Sequence, residues 1–163
     1  MAVAIQYLHS KRILHCDLKS SNILLDDNLR IKLSDFGLSR IKNIFQEGDN
    51  KGRIGTPHWM APEIMKGNKY EEASDVFSYG MILWELISSE IPYYGLTPYQ
   101  VIGIVSDCKK IVTVPSEGHP ALKLIIKKCL HYEISYRPSF EEIIVYLKKV
   151  LKKTKNDGII III

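Results

Sequence analysis

A helix that is apolar on nearly every side must be enclosed by the rest of its domain, and residues 73–88 of this chain form such a stretch. The chain has 163 residues, of which 46% are hydrophobic. A chain of this length folds as about one domain and buries roughly 70% of its unfolded surface. We therefore predict a single domain built around a central helix at 73–88.

Four more helices are indicated by apolar spacing and capping residues. We expect them at residues 2–9, at 98–107 after an N-cap at Thr97, at 120–130, and at 139–151, where Ser139 and Glu142 form a capping box. The chain is expected to begin inside the first of these helices, because no N-cap residue precedes Ala2.

Only one β element is indicated. Residues 23–25 and 29–33 are short β-type runs separated by the turn-forming residues Asp26, Asp27 and Asn28, which predicts a hairpin. Residues 41–55 carry glycines and charges without a sustained period and predict a mobile loop. The expected architecture is mostly α, with one small hairpin and no internal repeat.

The charge is concentrated in one place. The net charge is +4, but residues 148–155 alone hold five lysines and no acid, so the rest of the chain carries −1. This run is typical of a solvated helix face, and nucleic-acid binding is not indicated because no basic stripe interleaved with aromatics accompanies it. With the short apolar stretch 159–163, it leaves a basic membrane-surface protein as an alternative, although no firm membrane signal is present.

The cysteines indicate the compartment. Cys16, Cys108 and Cys129 are widely spaced and form no Cys-x-x-Cys pair, which suits a reducing environment. Residues 1–5 lack the charged region and the longer apolar region of a signal peptide, and no stretch of these 163 residues approaches the ~18 apolar residues that a membrane span needs. We expect a cytoplasmic protein.

Three short motifs follow one another ahead of the central helix. Residues 15–22 read His-Cys-Asp-Leu-Lys-Ser-Ser-Asn, residues 35–37 read Asp-Phe-Gly, and residues 61–63 read Ala-Pro-Glu. In protein kinases the catalytic loop reads His-Arg-Asp with an Asn five residues after the Asp, and the other two motifs follow in the same order. From Met1 to about Leu151 the chain resembles the large lobe of a protein kinase, which is the mostly α part of an α+β fold.

The resemblance implies a site that transfers phosphate from ATP, with Mg²⁺ as a second cofactor. Asp17 would accept or orient the substrate hydroxyl, and Lys19 would offset charge on the transferring phosphate. Asn22 and Asp35 would bind the metal, because Mg²⁺ prefers hard oxygen ligands. Leu24 would form the apolar floor beneath the adenine, so the ATP site would comprise Leu24, Lys19, Asn22 and Asp35, and the catalytic set Asp17, Lys19 and Asn22.

The class of acceptor is indicated by residues 55–63, Gly-Thr-Pro-His-Trp-Met-Ala-Pro-Glu, which are similar to the tyrosine-kinase-like group of serine/threonine kinases. Lys19, two residues after Asp17, points the same way. We therefore expect a protein substrate with a Ser or Thr hydroxyl. Trp59 and Met60 are shared with tyrosine kinases, so tyrosine or dual specificity stays open.

Several structural contacts are also implied by the resemblance. We expect Glu63 to pair with Arg137, Asp75 to accept hydrogen bonds from the backbone around His15, the rings of His15 and Phe36 to stack, and Thr56 to hydrogen-bond Asp17 and Lys19.

Two departures from the family pattern concern regulation. Cys16 stands where most kinases have an Arg, the usual partner of a phosphorylated activation loop, and it has no cationic fork for a phosphate. Between Arg40 and Ile54 the sequence has no Ser, Thr or Tyr. Since the usual receptor and the usual acceptor are absent together, we predict that the full-length kinase orders this loop without phosphorylation there.

The other half of a kinase site has no counterpart in the 163 residues. A Gly-rich loop, a strand Lys and its partner Glu cannot be placed. We therefore expect a partial kinase domain at 1–151, without the small lobe, followed by a disordered Lys-rich and poly-Ile tail at 152–163. The small lobe or upstream regulatory domains are expected in the full-length protein, and the fragment alone is expected to be inactive. A non-catalytic, pseudokinase-type interaction module remains the alternative.

Overall fold

A computed structural model describes residues 1–42 and 55–154 of the chain. Its helices are α1 (Ala2–Ser10), α2 (Pro62–Met65), α3 (Glu72–Ser88), α4 (Pro98–Ile102), α5 (Pro120–Cys129) and α6 (Phe140–Thr154). Its strands are β1 (Ile13–Leu14), β2 (Ile23–Leu25), β3 (Ile31–Leu33) and β4 (Arg40–Ile41). The predicted mostly α architecture is confirmed.

The central helix α3 organises the core. All residues from Ser74 to Trp84 are buried, and the helix starts with a capping box between Glu71 and Ser74. It packs against α5 at close range, since a Cβ added to Gly80 would lie 2.7 Å from Cys129 Cβ. The predicted bounds 73–88 are correct to within one residue, but the last turn is not enclosed as predicted, since Leu86 is 62% exposed.

Helices α1 and α6 pack against each other on another side of the core. The His9 and Phe140 rings meet edge to face with centroids 5.3 Å apart. The predicted capping box is present, because Ser139 N–H donates to Glu142 Oε2 at 2.8 Å and Glu142 N–H donates to Ser139 Oγ at 3.2 Å. The helix then continues to Thr154, three residues into the segment expected to form the tail, and residues 155–163 lie outside the described residues.

The predicted hairpin is present but shorter at its second strand. β2 and β3 pair antiparallel with Ile23 opposite Leu33. Leu29, expected in the strand, has a φ of +58° and belongs to the turn. Asp26 closes this turn by accepting the N–H of Arg30 at 2.9 Å.

A second two-stranded sheet was not predicted. β1 pairs antiparallel with β4, with Ile13 opposite Ile41, so the expectation that the hairpin is the only β element is wrong. Each strand has only two residues, too few for a period of two to be visible in sequence. Ile41 therefore belongs to a strand, and residues 43–54, the greater part of the loop predicted at 41–55, lie outside the described residues.

The helix predicted at 98–107 has two parts. Thr97 caps α4 by accepting Gln100 N–H at 3.4 Å, and after Ile102 the chain continues as a π-helical turn, Gly103–Asp107. Across the described residues, no helix is both long and apolar enough to cross a membrane.

Candidate active site

A buried carboxylate anchors the loop between β1 and β2 by accepting two of its backbone N–H groups. Asp75, on the first turn of α3, accepts the N–H of His15 at 2.9 Å and the N–H of Cys16 at 3.1 Å. Cys16 has a φ of +68°, in the left-handed region that non-glycine residues rarely adopt. These two hydrogen bonds fix the backbone immediately before Asp17, as expected for Asp75.

Asp17 is 7% exposed, and other residues hold both oxygens of its carboxylate. Oδ1 accepts the N–H and the Oγ1 hydroxyl of Thr56, both at 2.8 Å. Oδ2 lies 2.9 Å from Lys19 Nζ and 3.5 Å from Asn22 Nδ2. Desolvation by burial raises the pKa of Asp17, but the hydrogen bonds from Lys19 and Thr56 outweigh it and hold the pKa below its ordinary value. Asp17 is therefore an oriented carboxylate.

Lys19 and Thr56 complete this unit. Lys19 Nζ donates to Thr56 Oγ1 at 3.0 Å, so both expected contacts of Thr56 are present. The preceding residue must be a glycine, because Gly55 has a φ of +108° and an added Cβ would lie 2.8 Å from the carbonyl oxygen of Cys16. The arrangement brings a carboxylate, an ammonium and a hydroxyl into contact with one another at the catalytic loop.

The two candidate metal ligands lie at the open end of the β2–β3 hairpin. Asn22 is 5% exposed, and Asn22 Nδ2 donates to the carbonyl oxygen of Asp17 at 2.9 Å. The backbone carbonyl of Asn22 accepts Ser34 N–H at 3.0 Å, which brings Asp35, the next residue, to the same end. Asp35 is exposed, has a φ of +60°, and accepts Gly37 N–H at 3.3 Å.

These two ligands fit Mg²⁺ better than a softer metal. Within 1–42 and 55–154 there is no group of three or more His, Cys, Asp or Glu side chains suited to a metal. Mg²⁺ usually takes one or two carboxylates together with phosphate oxygens and waters. One carboxylate and one amide oxygen at the hairpin end suit an ion that arrives with a phosphate group.

An apolar surface adjoins this end of the hairpin. The His15 and Phe36 rings are in contact with centroids 5.2 Å apart, but they are tilted by 49° to each other and not stacked as expected. Phe36 is still 47% exposed and lines an open groove of about 800 Å³ with Val3, Tyr7 and other apolar residues of α1 and β3. Leu24, expected beneath the adenine, is 52% exposed on β2 and does not line this groove.

The short helix α2 is tied to the far end of the chain. Arg137 Nη1 and Nη2 donate to the two carboxylate oxygens of Glu63 at 2.7 and 2.8 Å. Ser74 Oγ also donates to Glu63 Oε1 at 2.8 Å, and both members of the ion pair are buried. The predicted Glu63–Arg137 pair is confirmed.

Sequence reasoning missed two further groups around Asp75. His9 Nε2 donates to Asp75 Oδ2 at 2.8 Å, and the Tyr70 hydroxyl donates to Oδ1 at 3.1 Å. His9 has no nearby motif, and Tyr70 lies in the linker between α2 and α3. No sequence signal marks either residue, because only the folded chain brings His9 to a carboxylate 66 positions away.

A third missed contact joins the catalytic loop to the end of α3. Glu85 accepts the hydroxyl of Ser20 at 2.8 Å and the indole N–H of Trp59 at 3.1 Å. The pattern of α3 identifies Glu85 only as a polar residue near the helix end. Its contacts link residues 20, 59 and 85 into one side of the site.

Comparison with known proteins agrees with this geometry. Residues 1–147 match the family model described as protein tyrosine and serine/threonine kinase. The chain is 39% identical over 153 residues to serine/threonine-protein kinase STY46 of Arabidopsis thaliana, an alignment that covers 93% of this chain and 26% of that protein. It is 41% identical over 144 residues to serine/threonine/tyrosine-protein kinase HT1 of the same plant (88% and 36% covered), and 41% identical over 152 residues to dual specificity protein kinase shkD of Dictyostelium discoideum (92% and 20%). The chain spans only about a fifth to a third of the length of these relatives.

Proposed function

Because the chain belongs to the protein tyrosine and serine/threonine kinase family, we propose that it carries the catalytic-loop and metal-binding half of an enzyme that transfers phosphate from ATP to Ser and Thr hydroxyls of proteins. The observation that carries this proposal is the Asp17 carboxylate, buried and hydrogen-bonded by Lys19 and Thr56 beside Asn22. A chain that served only as a binding surface has no chemical need for this arrangement.

Asp17 orients the acceptor hydroxyl in the proposed reaction. Its pKa is held below the ordinary value by Lys19 and Thr56 against the effect of desolvation, so at neutral pH it is ionised and accepts a hydrogen bond from the acceptor. Lys19 lies 2.9 Å from this carboxylate and supplies positive charge where the transferring phosphate gains negative charge. Thr56 fixes the direction of the carboxylate.

Asn22 and Asp35 are the proposed ligands of the metal. Asn22 precedes β2 and Asp35 follows β3, and the hydrogen bond from Ser34 N–H to the Asn22 carbonyl holds the backbone at this end of the hairpin. Both residues can therefore supply hard oxygen ligands to the same end. Bound Mg²⁺ would neutralise the phosphate oxygens of ATP. Leu24 offers an exposed apolar side chain on the same hairpin and is the proposed contact for the adenine.

A Ser or Thr acceptor is favoured because residues 55–63 and Lys19 resemble the tyrosine-kinase-like group of serine/threonine kinases, and a relative named serine/threonine-protein kinase matches the chain. Relatives whose names include tyrosine or dual specificity keep that activity as the alternative.

The free cysteines among the described residues suit a reducing compartment, and we place the protein in the cytoplasm.

The half that covers the nucleotide is proposed to come from outside these 163 residues. The groove beside Phe36 exposes apolar side chains of α1 and the hairpin, among them Val3 at 53% and Leu29 at 79%. Such a surface favours contact with another part of the full-length protein. This groove is also what a non-catalytic interaction module would use, and the experiment below separates the two.

The test joins the chain to the N-terminal half of the kinase domain of a curated relative and measures incorporation of phosphate from ATP into a mixed protein acceptor. We expect phosphoserine and phosphothreonine in the product, and we expect Asp17→Asn to abolish both. Phosphotyrosine as the main product would favour the alternative specificity. Incorporation at the level of Asp17→Asn, in a fusion protein that binds ATP, would support the interaction module instead.

A further inference from the structure

Each oxygen of the Asp75 carboxylate accepts two hydrogen bonds. One comes from the backbone of the catalytic loop and the other from a side chain outside that loop. Oδ1 accepts Cys16 N–H at 3.1 Å and the Tyr70 hydroxyl at 3.1 Å. Oδ2 accepts His15 N–H at 2.9 Å and His9 Nε2 at 2.8 Å. Asp75 is completely buried, so no water replaces a donor that is lost.

The Tyr70 hydroxyl and the Cys16 N–H donate to the same atom, Asp75 Oδ1. Cys16 has a φ of +68°, a conformation that a non-glycine residue keeps only where its surroundings enforce it. The Cys16 N–H bond to Asp75 Oδ1 is one such constraint, and Asp17 is the next residue. A carboxylate that rotated away from Cys16 would therefore release the backbone that carries Asp17.

The Tyr70 hydroxyl limits that rotation. It lies only five residues before Asp75, in the segment that leads into α3, and its side chain packs against the core. Desolvation by burial, reinforced by the negative charge of Asp75, raises the pKa of Tyr70 well above its ordinary value. The hydroxyl thus keeps its proton and remains a donor.

We propose that Tyr70 is a positioning residue for the proposed phosphoryl transfer, and that its hydroxyl fixes the Asp75 carboxylate so that the Cys16 and Asp17 backbone stays in its strained, active geometry. The proposal goes beyond the function above by assigning a role to a residue outside every motif. It rests on that function only for its catalytic consequence, because the structural coupling exists whether or not the chain transfers phosphate.

The experiment measures amide hydrogen exchange of the 163-residue chain, wild type against Tyr70→Phe. This substitution removes one oxygen atom and retains the packed ring. We expect the His15 and Cys16 amides to exchange about tenfold faster in the variant, as follows from the loss of one hydrogen bond to a charged acceptor. Amides in the middle of α3 are expected to change much less.

Tyr132→Phe is the matched control. Tyr132 is also partly buried, and its hydroxyl donates to the carbonyl oxygen of Ser106 at 3.1 Å, far from the catalytic loop. It is expected to leave His15 and Cys16 exchange unchanged.

Equal exchange at these two amides in Tyr70→Phe and wild type would overturn the proposal. So would an increase no larger than that in α3, since it would reflect lower overall stability alone. If Tyr70→Phe does not fold, replacing Tyr70 by 4-aminophenylalanine, which keeps an N–H donor at the para position of the ring, must give slow exchange at both amides, and failure to do so also overturns the proposal. None of these readouts needs kinase activity, so a failed kinase assay leaves this test intact.

Discussion

Replacing Arg137 by Met is expected to lower the free energy of unfolding by more than the loss of an exposed ion pair does. The guanidinium donates to both oxygens of Glu63 at 2.7 and 2.8 Å, and also to the carbonyl oxygens of Ala73, His131 and Tyr132 at 2.8 to 3.0 Å. The substitution leaves the Glu63 carboxylate, 5% exposed, buried with a hydrogen bond from the Ser74 hydroxyl in place of the ion pair. Removing one member of a buried pair typically costs about 3–5 kcal/mol.

The assay is urea unfolding at low temperature, read as the midpoint and the slope of the transition. A domain has only about 5–15 kcal/mol of stability, so a loss of this size shifts the midpoint strongly or unfolds the chain. The double variant Glu63→Gln with Arg137→Met is expected to be more stable than the two single losses of unfolding free energy, added together, would predict. The difference should be at least about 2 kcal/mol, because the two groups interact directly.

Lys42→Met is the control for this prediction. Lys42 Nζ lies 2.9 Å from Glu72 Oε1, but the side chains are 40% and 42% exposed. An exposed pair is worth less than about 1 kcal/mol. If Arg137→Met cost no more than Lys42→Met, or if the two losses at Glu63 and Arg137 were additive, the reasoning about this buried pair would be refuted.

Three further predictions concern the site. Desolvation alone would raise the pKa of Asp17, so Thr56→Ala, which removes one of the opposing hydrogen bonds, should raise that pKa, as a ¹³C NMR titration of the carboxyl group would measure. The stability that ionised Asp17 contributes is present above its unfolded pKa of about 3.9 and is lost as pH falls through the lower folded value, so in the variant this loss should be smaller and should be complete at higher pH. Cys108 is exposed, whereas burial and the charge of Asp75 raise the pKa of Cys16 to about 12, so a thiol reagent at pH 8 should label Cys108 first in the folded chain. A full-length kinase treated with phosphatase should keep its activity, because Cys16 cannot bind a phosphorylated loop through an Arg fork.

Each of these predictions has a contradicting result. An Asp17 titration unchanged by Thr56→Ala would mean that the Thr56 hydroxyl does not stabilise the carboxylate. Labelling of Cys16 at the rate of Cys108 would mean that the loop opens to solvent. Activity that collapses on dephosphorylation, and returns with a phosphate between Asp35 and Glu63, would show that the loop depends on phosphorylation.

The parts of the fold that sequence predicted are those with a local or repeated signal. The enclosed helix α3 has apolar residues at almost every position, and Ser139 and Glu142 lie three residues apart in one capping box. The contacts of Thr56 with Asp17 and Lys19 followed from the resemblance to the kinase motifs.

The parts that sequence missed depend on residues brought together only in the folded chain. The β1–β4 sheet joins two strands of two residues each, 26 to 28 positions apart by its register, and has no periodic pattern. His9 and Tyr70 reach Asp75 from a helix end and a linker. A His at a helix end and a Tyr in a linker carry no pattern that marks a function. Only the hydrogen bonds of the folded chain show that both residues hold the Asp75 carboxylate.

The most direct test of the central claim compares three proteins in one phosphate-transfer assay with Mg²⁺ and ATP. They are the 163-residue chain, the fusion protein with the N-terminal half of a related kinase domain, and the same fusion protein with Asp35→Asn. If these residues form the metal-binding and catalytic-loop half of a kinase site, the chain alone should transfer no phosphate, the fusion protein should do so, and Asp35→Asn should abolish the transfer. Turnover by the chain alone at an ordinary kinase rate, or a fusion protein whose activity does not need Asp35, would contradict the account.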